Sequence, residues 1–137
     1  MKNIIFCVLL VLVSNYVKAQ DTLQVVMNPV ITDASYAGGN IEDLYYYVNN
    51  NFNYNNVNKD DVPVLSNKQS YFVFYVVFAI SKSGKAIDFS PKEITPENSF
   101  YKEAVRVIAS VRWNPALIDN EYKKQFLVVP IKAMIND

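Results

Sequence analysis

From Ile41 onward the apolar positions recur at helical spacing. Ile41, Leu44, Tyr45, Val48 and Phe52 fall at i, i+3, i+4, i+7 and i+11, which is one face of an α-helix. Gly38 and Gly39 break the chain before it, and Asn40 is a good N-cap type. Glu42 and Asp43 occupy the first turn, where the helix dipole favours negative charge. The helix is expected to fade over residues 49–51, because asparagine side chains compete for backbone hydrogen bonds. Seven of the ten residues from 49 to 58 are asparagine, so turn and loop are expected there, extended by Asp60, Asp61, Val62 and Pro63.

The period then drops to two. Residues 71–80 are all β-branched, aromatic or small, the strongest strand signal in the chain. Phe72, Phe74, Val76, Phe78 and Ile80 share one face; Tyr71, Val73, Tyr75, Val77 and Ala79 share the other. With both faces apolar, this strand is expected to be central and covered on both sides, or partly on one side by the preceding segment. Residues 81–85 read as a hairpin turn with Gly84 free to take positive φ, and residues 86–90 return with Ile87 and Phe89 on one face.

Thr95, Pro96 and Glu97 combine an N-cap type, a first-position proline and an acidic first turn, which predicts a second helix. Its apolar stripe is Phe100, Ala104, Val107, Ile108 and Val111, with Lys102, Glu103, Arg106 and Ser110 expected outward. Arg112 suits the carboxy-terminal end of the dipole, and Pro115 prevents continuation. A last strand is expected from Tyr122 to about Ile135. Leu127, Val129, Ile131, Ala133 and Ile135 form its alternating face, and Phe126, Val128 and Met134 partly populate the other. Pro130 in its middle cannot donate to a ladder, which restricts the strand to a sheet edge or a bulge. An ordinary edge whose proline discourages aggregation and an edge kept open for a partner both satisfy that restriction.

The order helix, strand, strand, helix, strand predicts an α+β fold, a three-stranded antiparallel sheet with two helices packed on one face. An extra short strand ahead of them is expected over residues 23–27, with Val30 and Ile31 able to continue it.

The start of the chain belongs to targeting. Lys2 supplies a basic beginning, Ile4 to Val13 is an unbroken apolar run, and Val17, Lys18 and Ala19 put small residues where a signal peptidase reads. Residues 1–19 are therefore expected to be a cleaved secretory signal peptide. Residues 20–37 are then an N-terminal extension and 38–137 the folded domain. The rival reading is a permanent anchor, but ten helical residues rise about 15 Å, roughly half of a bilayer's hydrocarbon thickness. Cys7 follows Phe6 inside the run, whereas a lipid-attachment cysteine would follow a small residue at its end.

Composition narrows the function. The 137 residues carry 13 basic and 13 acidic side chains, one cysteine and no histidine. Balanced charge argues against nucleic acid as a partner. Absent histidine removes Ser-His-Asp and Cys-His machinery and the commonest general base near neutral pH. Loss of Lys2, Lys18 and Cys7 with the signal leaves a slightly acidic domain that must be held by its core without a disulfide. The adjacent acids Glu42-Asp43 and Asp60-Asp61 lack the alternating spacing of a calcium loop. No nucleophile–base pair, phosphate loop or metal cluster is legible, so the chain is expected to be no enzyme, with no cofactor and no metal.

A scattered set of residues adds to this reading. Gly38 and Gly39 precede a helix holding Leu44, Tyr47 and Val48, followed by Asn51-Phe52-Asn53-Tyr54. Phe78-Ala79-Ile80 come before Gly84, Ala104 precedes Trp113-Asn114-Pro115-Ala116, and Val128-Val129-Pro130-Ile131 closes the set. On these residues, from 38 to 133, the chain resembles the TonB carboxy-terminal domain family, with the Trp-x-Pro-Ala element the most specific part. It departs from the family at Asn55, where a proline usually follows the tyrosine, and at Asp119-Asn120, in place of a turn glycine. Asparagine tolerates positive φ better than most residues. The chain looks like the receptor-binding domain alone, a stand-alone periplasmic member without the membrane anchor and proline-rich linker.

The resemblance implies a non-catalytic module of the periplasm, related to TonB-dependent transport. It would engage an outer-membrane receptor or another envelope protein by β-augmentation at the last strand. The edge residues are then Lys124, Phe126, Val128, Pro130 and Lys132, and Tyr46, Tyr47, Tyr54 and Trp113 are further candidate contacts. Trp113, at a helix exit, reads first as a plug over the sheet. The alternative is a structural subunit of an envelope or secretion assembly, or a homodimer, joined through sheet faces or aromatic packing.

Overall fold

A computed structural model describes residues 29–66, 68–92 and 95–135. The expected signal peptide, residues 20–28 of the expected extension and the strand expected over residues 23–27 lie outside the described residues. In chain order the strands and α-helices are β1 (Ile31–Thr32), β2 (Ser35–Tyr36), α1 (Ile41–Asn51), β3 (Tyr71–Ile80), β4 (Ala86–Pro91), α2 (Ser99–Ala109), β5 (Trp113–Asn114), β6 (Ala116–Ile118), β7 (Glu121–Lys123) and β8 (Gln125–Met134).

The capping box that starts α1 follows from its sequence. The Asn40 side chain accepts from Asp43 N–H and the Asp43 carboxylate accepts from Asn40 N–H, both at 2.9 Å. Two 3-10 turns follow, Tyr54–Asn56 and Lys59–Asp61, capped by the side chains of Asn53 and Asn58. The asparagine-rich stretch is thus ordered by its own asparagines.

In the main sheet β3 lies between β4 and β8 and runs antiparallel to both. The β3–β8 register is unbroken from Tyr71 opposite Met134 to Ile80 opposite Gln125. Phe72, Phe74, Val76, Phe78 and Ile80 of β3, with Val129, Ile131 and Ala133 of β8, are buried in one cluster with Leu44, Val48, Phe100, Ala104, Val107 and Ile108. Burial of a side chain the size of Leu44 or Phe78 contributes about 1.5–3 kcal/mol. The expected α+β arrangement of three antiparallel strands and two helices is present.

Several local expectations are corrected. Full cover of β3 on both sides does not occur among the described residues: on the face away from the helices Tyr71 and Val73 are exposed, Tyr75 and Val77 are half-buried and Ala79 is buried. Ile87 and Phe89 do not share a face. A register shift between Val77 and Ala79 inserts a bulge at Asp88, whose φ is +53°, so Phe89 stacks on Phe78 in the core while Ile87 sits opposite Ala79 outside it. The N-cap of α2 is Asn98, which accepts from Tyr101 N–H, and not Thr95; the Thr95 hydroxyl instead accepts from Tyr75 N–H at 3.1 Å. Glu103, expected outward, is 3% exposed. The last strand is interrupted at Lys124, its first part being β7 of a small hairpin.

Residues 30–36, expected as extension, are stitched into the domain. Ile31 pairs with Ile118, and Tyr36 pairs with Trp113. Asp119 and Asn120 form the two-residue β6–β7 turn with φ of +49° and +64°, the conformation that a type I′ hairpin demands. Gly84 is required at φ +76°: a Cβ there would lie 2.2 Å from the Trp113 carbonyl oxygen.

Candidate functional site

The unpaired side of β8 is the feature that stands out chemically. Each residue of an antiparallel edge strand points its N–H and C=O either to its neighbour or away, in alternation. Ile135 N–H donates inward to the Ser70 carbonyl at 2.8 Å, and Met134 N–H donates outward to the Tyr54 hydroxyl at 2.9 Å. Tyr75, opposite Pro130, turns its own N–H away from β8 to Thr95. The register then places the N–H groups of Phe126, Val128 and Lys132 on the outer side, with Pro130 at the one outward position that has no donor. This is the orientation in which a proline costs the β3 ladder nothing.

The open row is bounded. At its start the Gln125 side chain ties down the N-terminal segment, accepting from Ala34 N–H at 2.6 Å and donating to Asp33 at 2.8 Å. At its end stands the Tyr54 hydroxyl. Between these limits two hollows follow one another along the strand. One, of about 260 Å³, lies between Ile41, Trp113 and residues 127–129; the next, of about 360 Å³, lies between Tyr45, Asn49 and residues 130–132. The apolar face of α1 forms the facing wall. An added strand would therefore find backbone partners on β8 and an apolar wall for every second side chain.

Tyr54 reaches the edge because a buried carboxylate holds its turn. Glu103 Oε1 accepts from Asn53 N–H at 2.8 Å, and Oε2 accepts from Asn56 Nδ2 at 2.9 Å. Arg106 donates to the same carboxylate through Nε and passes Nη2 to the Asn51 carbonyl at 2.8 Å, closing the end of α1. The bonds from Arg106 lead, against burial that opposes them, in lowering the Glu103 carboxyl to about 2. Asp61 is likewise held below the usual carboxylate range by the hydroxyl and N–H of Ser99, which pins the second 3-10 turn to α2.

Of the residues expected at the edge, Phe126, Val128, Pro130 and Lys132 lie on β8 with side chains on the sheet face away from the helices. Lys124 lies just before the strand, paired with Asp88. Tyr54 is brought to the edge. Tyr46 is 72% exposed on α1, and Tyr47 faces the opposite flank, its ring 6.4 Å from that of Tyr36. Trp113 is 5% exposed and packed on Phe78 at 5.1 Å; it plugs the core and shows only a margin to the first hollow. Ile41, Tyr45 and Asn49 are site residues that the sequence reading missed.

Among the described residues no three His, Cys, Asp or Glu side chains are grouped to hold a metal, and no helix is long and apolar enough to cross a membrane. The sequence matches no protein-family model and no curated protein.

Proposed function

We propose that this chain is a non-catalytic, exported protein-binding module that takes an extended segment of an outer-membrane receptor or another envelope protein onto the outer edge of β8. The observation that carries this reading is the open row from Phe126 to Lys132, flanked by the hollows along α1. The element order and the central position of β3 support a kinship with the TonB carboxy-terminal domain, and with it a role in TonB-dependent transport in the periplasm. Backbone bonds to three donors supply affinity, and the gap at Pro130 keeps it modest. Titration with an extended receptor-derived peptide should move the amide signals of Phe126, Val128 and Lys132 most. Signals over residues 122–134 that stay still at millimolar peptide would sink the reading.

A second reading, a structural subunit or homodimer, draws on the exposed apolar residues of the outer sheet face. Sedimentation separates the two: a monomer at tens of micromolar argues for the module, a stable oligomer for the subunit.

A further inference from the structure

The face of the main sheet turned away from the helices exposes apolar side chains over much of its length among the described residues. Tyr71 and Val73 of β3 and Phe126, Val128 and Met134 of β8 are exposed there, Phe126 by 60% and Val128 by 51%. Scattered single apolar residues on a surface mean little, but these five belong to two adjacent paired strands and form one patch.

Three lysines stand over rings of this patch. Lys132 holds its ammonium 4.0 Å from the centre of the Tyr71 ring, Lys92 stands 4.8 Å from that of Tyr75, and Lys124 5.3 Å from that of Phe126. Asp88, paired with Lys124, is the acid that meets them. Among the described residues two of these three positive charges therefore have no acid beside them, in a chain whose 13 basic and 13 acidic residues cancel. Acids with defined partners lie elsewhere: Asp43 caps α1, Asp61 and Glu103 bond the loop to α2, and Asp119 and Glu121 sit on the β6–β7 hairpin.

We propose that this sheet face docks on an anionic lipid surface. Tyrosine and phenylalanine rings on a sheet face suit the depth of the headgroups, where apolar and wet surroundings meet. Lysine stems lie along such rings while their ammoniums reach lipid phosphates. The three lysines stand over three separate rings and converge on no pocket. Each is a point charge without a directional fork, which suits a fluid layer of headgroups better than one fixed acidic side chain. A second copy laid face to face would set lysine against lysine. The outward N–H groups of β8 lie in the plane of the sheet, so docking of the face leaves the edge free.

The test is co-sedimentation of the full chain with phosphatidylcholine vesicles with and without phosphatidylglycerol. Neutral vesicles give the baseline for the apolar run near the start of the chain, and a K2Q/K18Q background removes the charge that flanks it. The net charge of two should strengthen binding to the anionic vesicles by about 30-fold at low ionic strength, and salt should remove the difference. The triple variant K92Q/K124Q/K132Q should bring the ratio close to one. A spin label in the lipid should broaden the methyl signals of Val73 and Val128 and spare those of Val48 and Val107. Equal binding to both vesicle types, a ratio that the triple variant keeps, or broadening confined to other residues would overturn the proposal. So would broadening or protection of Val73 and Val128 by polyglutamate or by self-association in the absence of lipid.

Discussion

The Tyr54 hydroxyl holds the backbone N–H of Met134 at 2.9 Å, and this one bond marks where the β8 edge stops being open. The Tyr54 ring also packs on Phe52 at 4.9 Å, so its position serves both the core and the edge. Tyr54→Phe should keep the ring contact and lose about 1 kcal/mol of stability. Amide exchange should quicken several-fold at Met134 and stay unchanged at Ile135, whose N–H is bonded to Ser70.

Glu103 makes the fold sensitive to acid. Its carboxyl is lowered in the folded chain from the ordinary glutamate value of 4.5 to about 2. The stability it contributes is therefore complete above about pH 4.5 and drains away as the pH falls toward 2, by about 3 kcal/mol in all. Denaturant titrations at pH 7, 4 and 3 should show this loss, and Glu103→Gln should flatten it. An acid limb of the same depth in the variant would assign the loss to other carboxylates.

Gly84 and Trp113 approach too closely for any side chain between them. Gly84→Ala places a methyl group 2.2 Å from the Trp113 carbonyl at a φ that alanine resists. The expected cost is about 2–4 kcal/mol, or a fall in Tm of roughly 10–20 °C for a domain of this size. Near-ultraviolet dichroism of Trp113, the single tryptophan, should report the same change.

Pro130→Val adds an N–H on the open side of β8 without touching the β3 ladder. Peptide affinity should rise about three- to tenfold, in line with one more hydrogen bond. Self-association should rise with it, since the edge then presents an unbroken row. Thermal unfolding should move by no more than a few degrees. Val129→Pro, one residue away, should unfold the strand, because that N–H faces β3.

Much of the fold was legible because its elements are long and regular in pattern. The stripe of α1, the ten apolar residues of β3 and the stripe of α2 each announce their period. What escaped depends on distant partners. Glu103 lies on the polar side of an α2 projection, and only the Asn53 and Asn56 groups that fold over it make it a buried residue. Asp88 gives no local sign of the bulge that turns Ile87 outward. Thr95 resembles a cap until the unpaired Tyr75 N–H claims its hydroxyl. Pro130 narrowed β8 to an edge or a bulge because proline carries its restriction with it, and the sheet order shows the edge. The wall of Ile41 and Tyr45 became visible only when α1 was set beside β8.

On the proposed reading, the strap at Gln125, the stop at Tyr54 and the missing donor at Pro130 would make β8 an acceptor of finite length. On the far side of the sheet, the bulge at Asp88 breaks the outer row of β4. A strand that joins at β8 finds no matching second edge through which the sheet could continue. Strand addition should therefore halt at one guest per domain, giving discrete one-to-one complexes and never a growing filament.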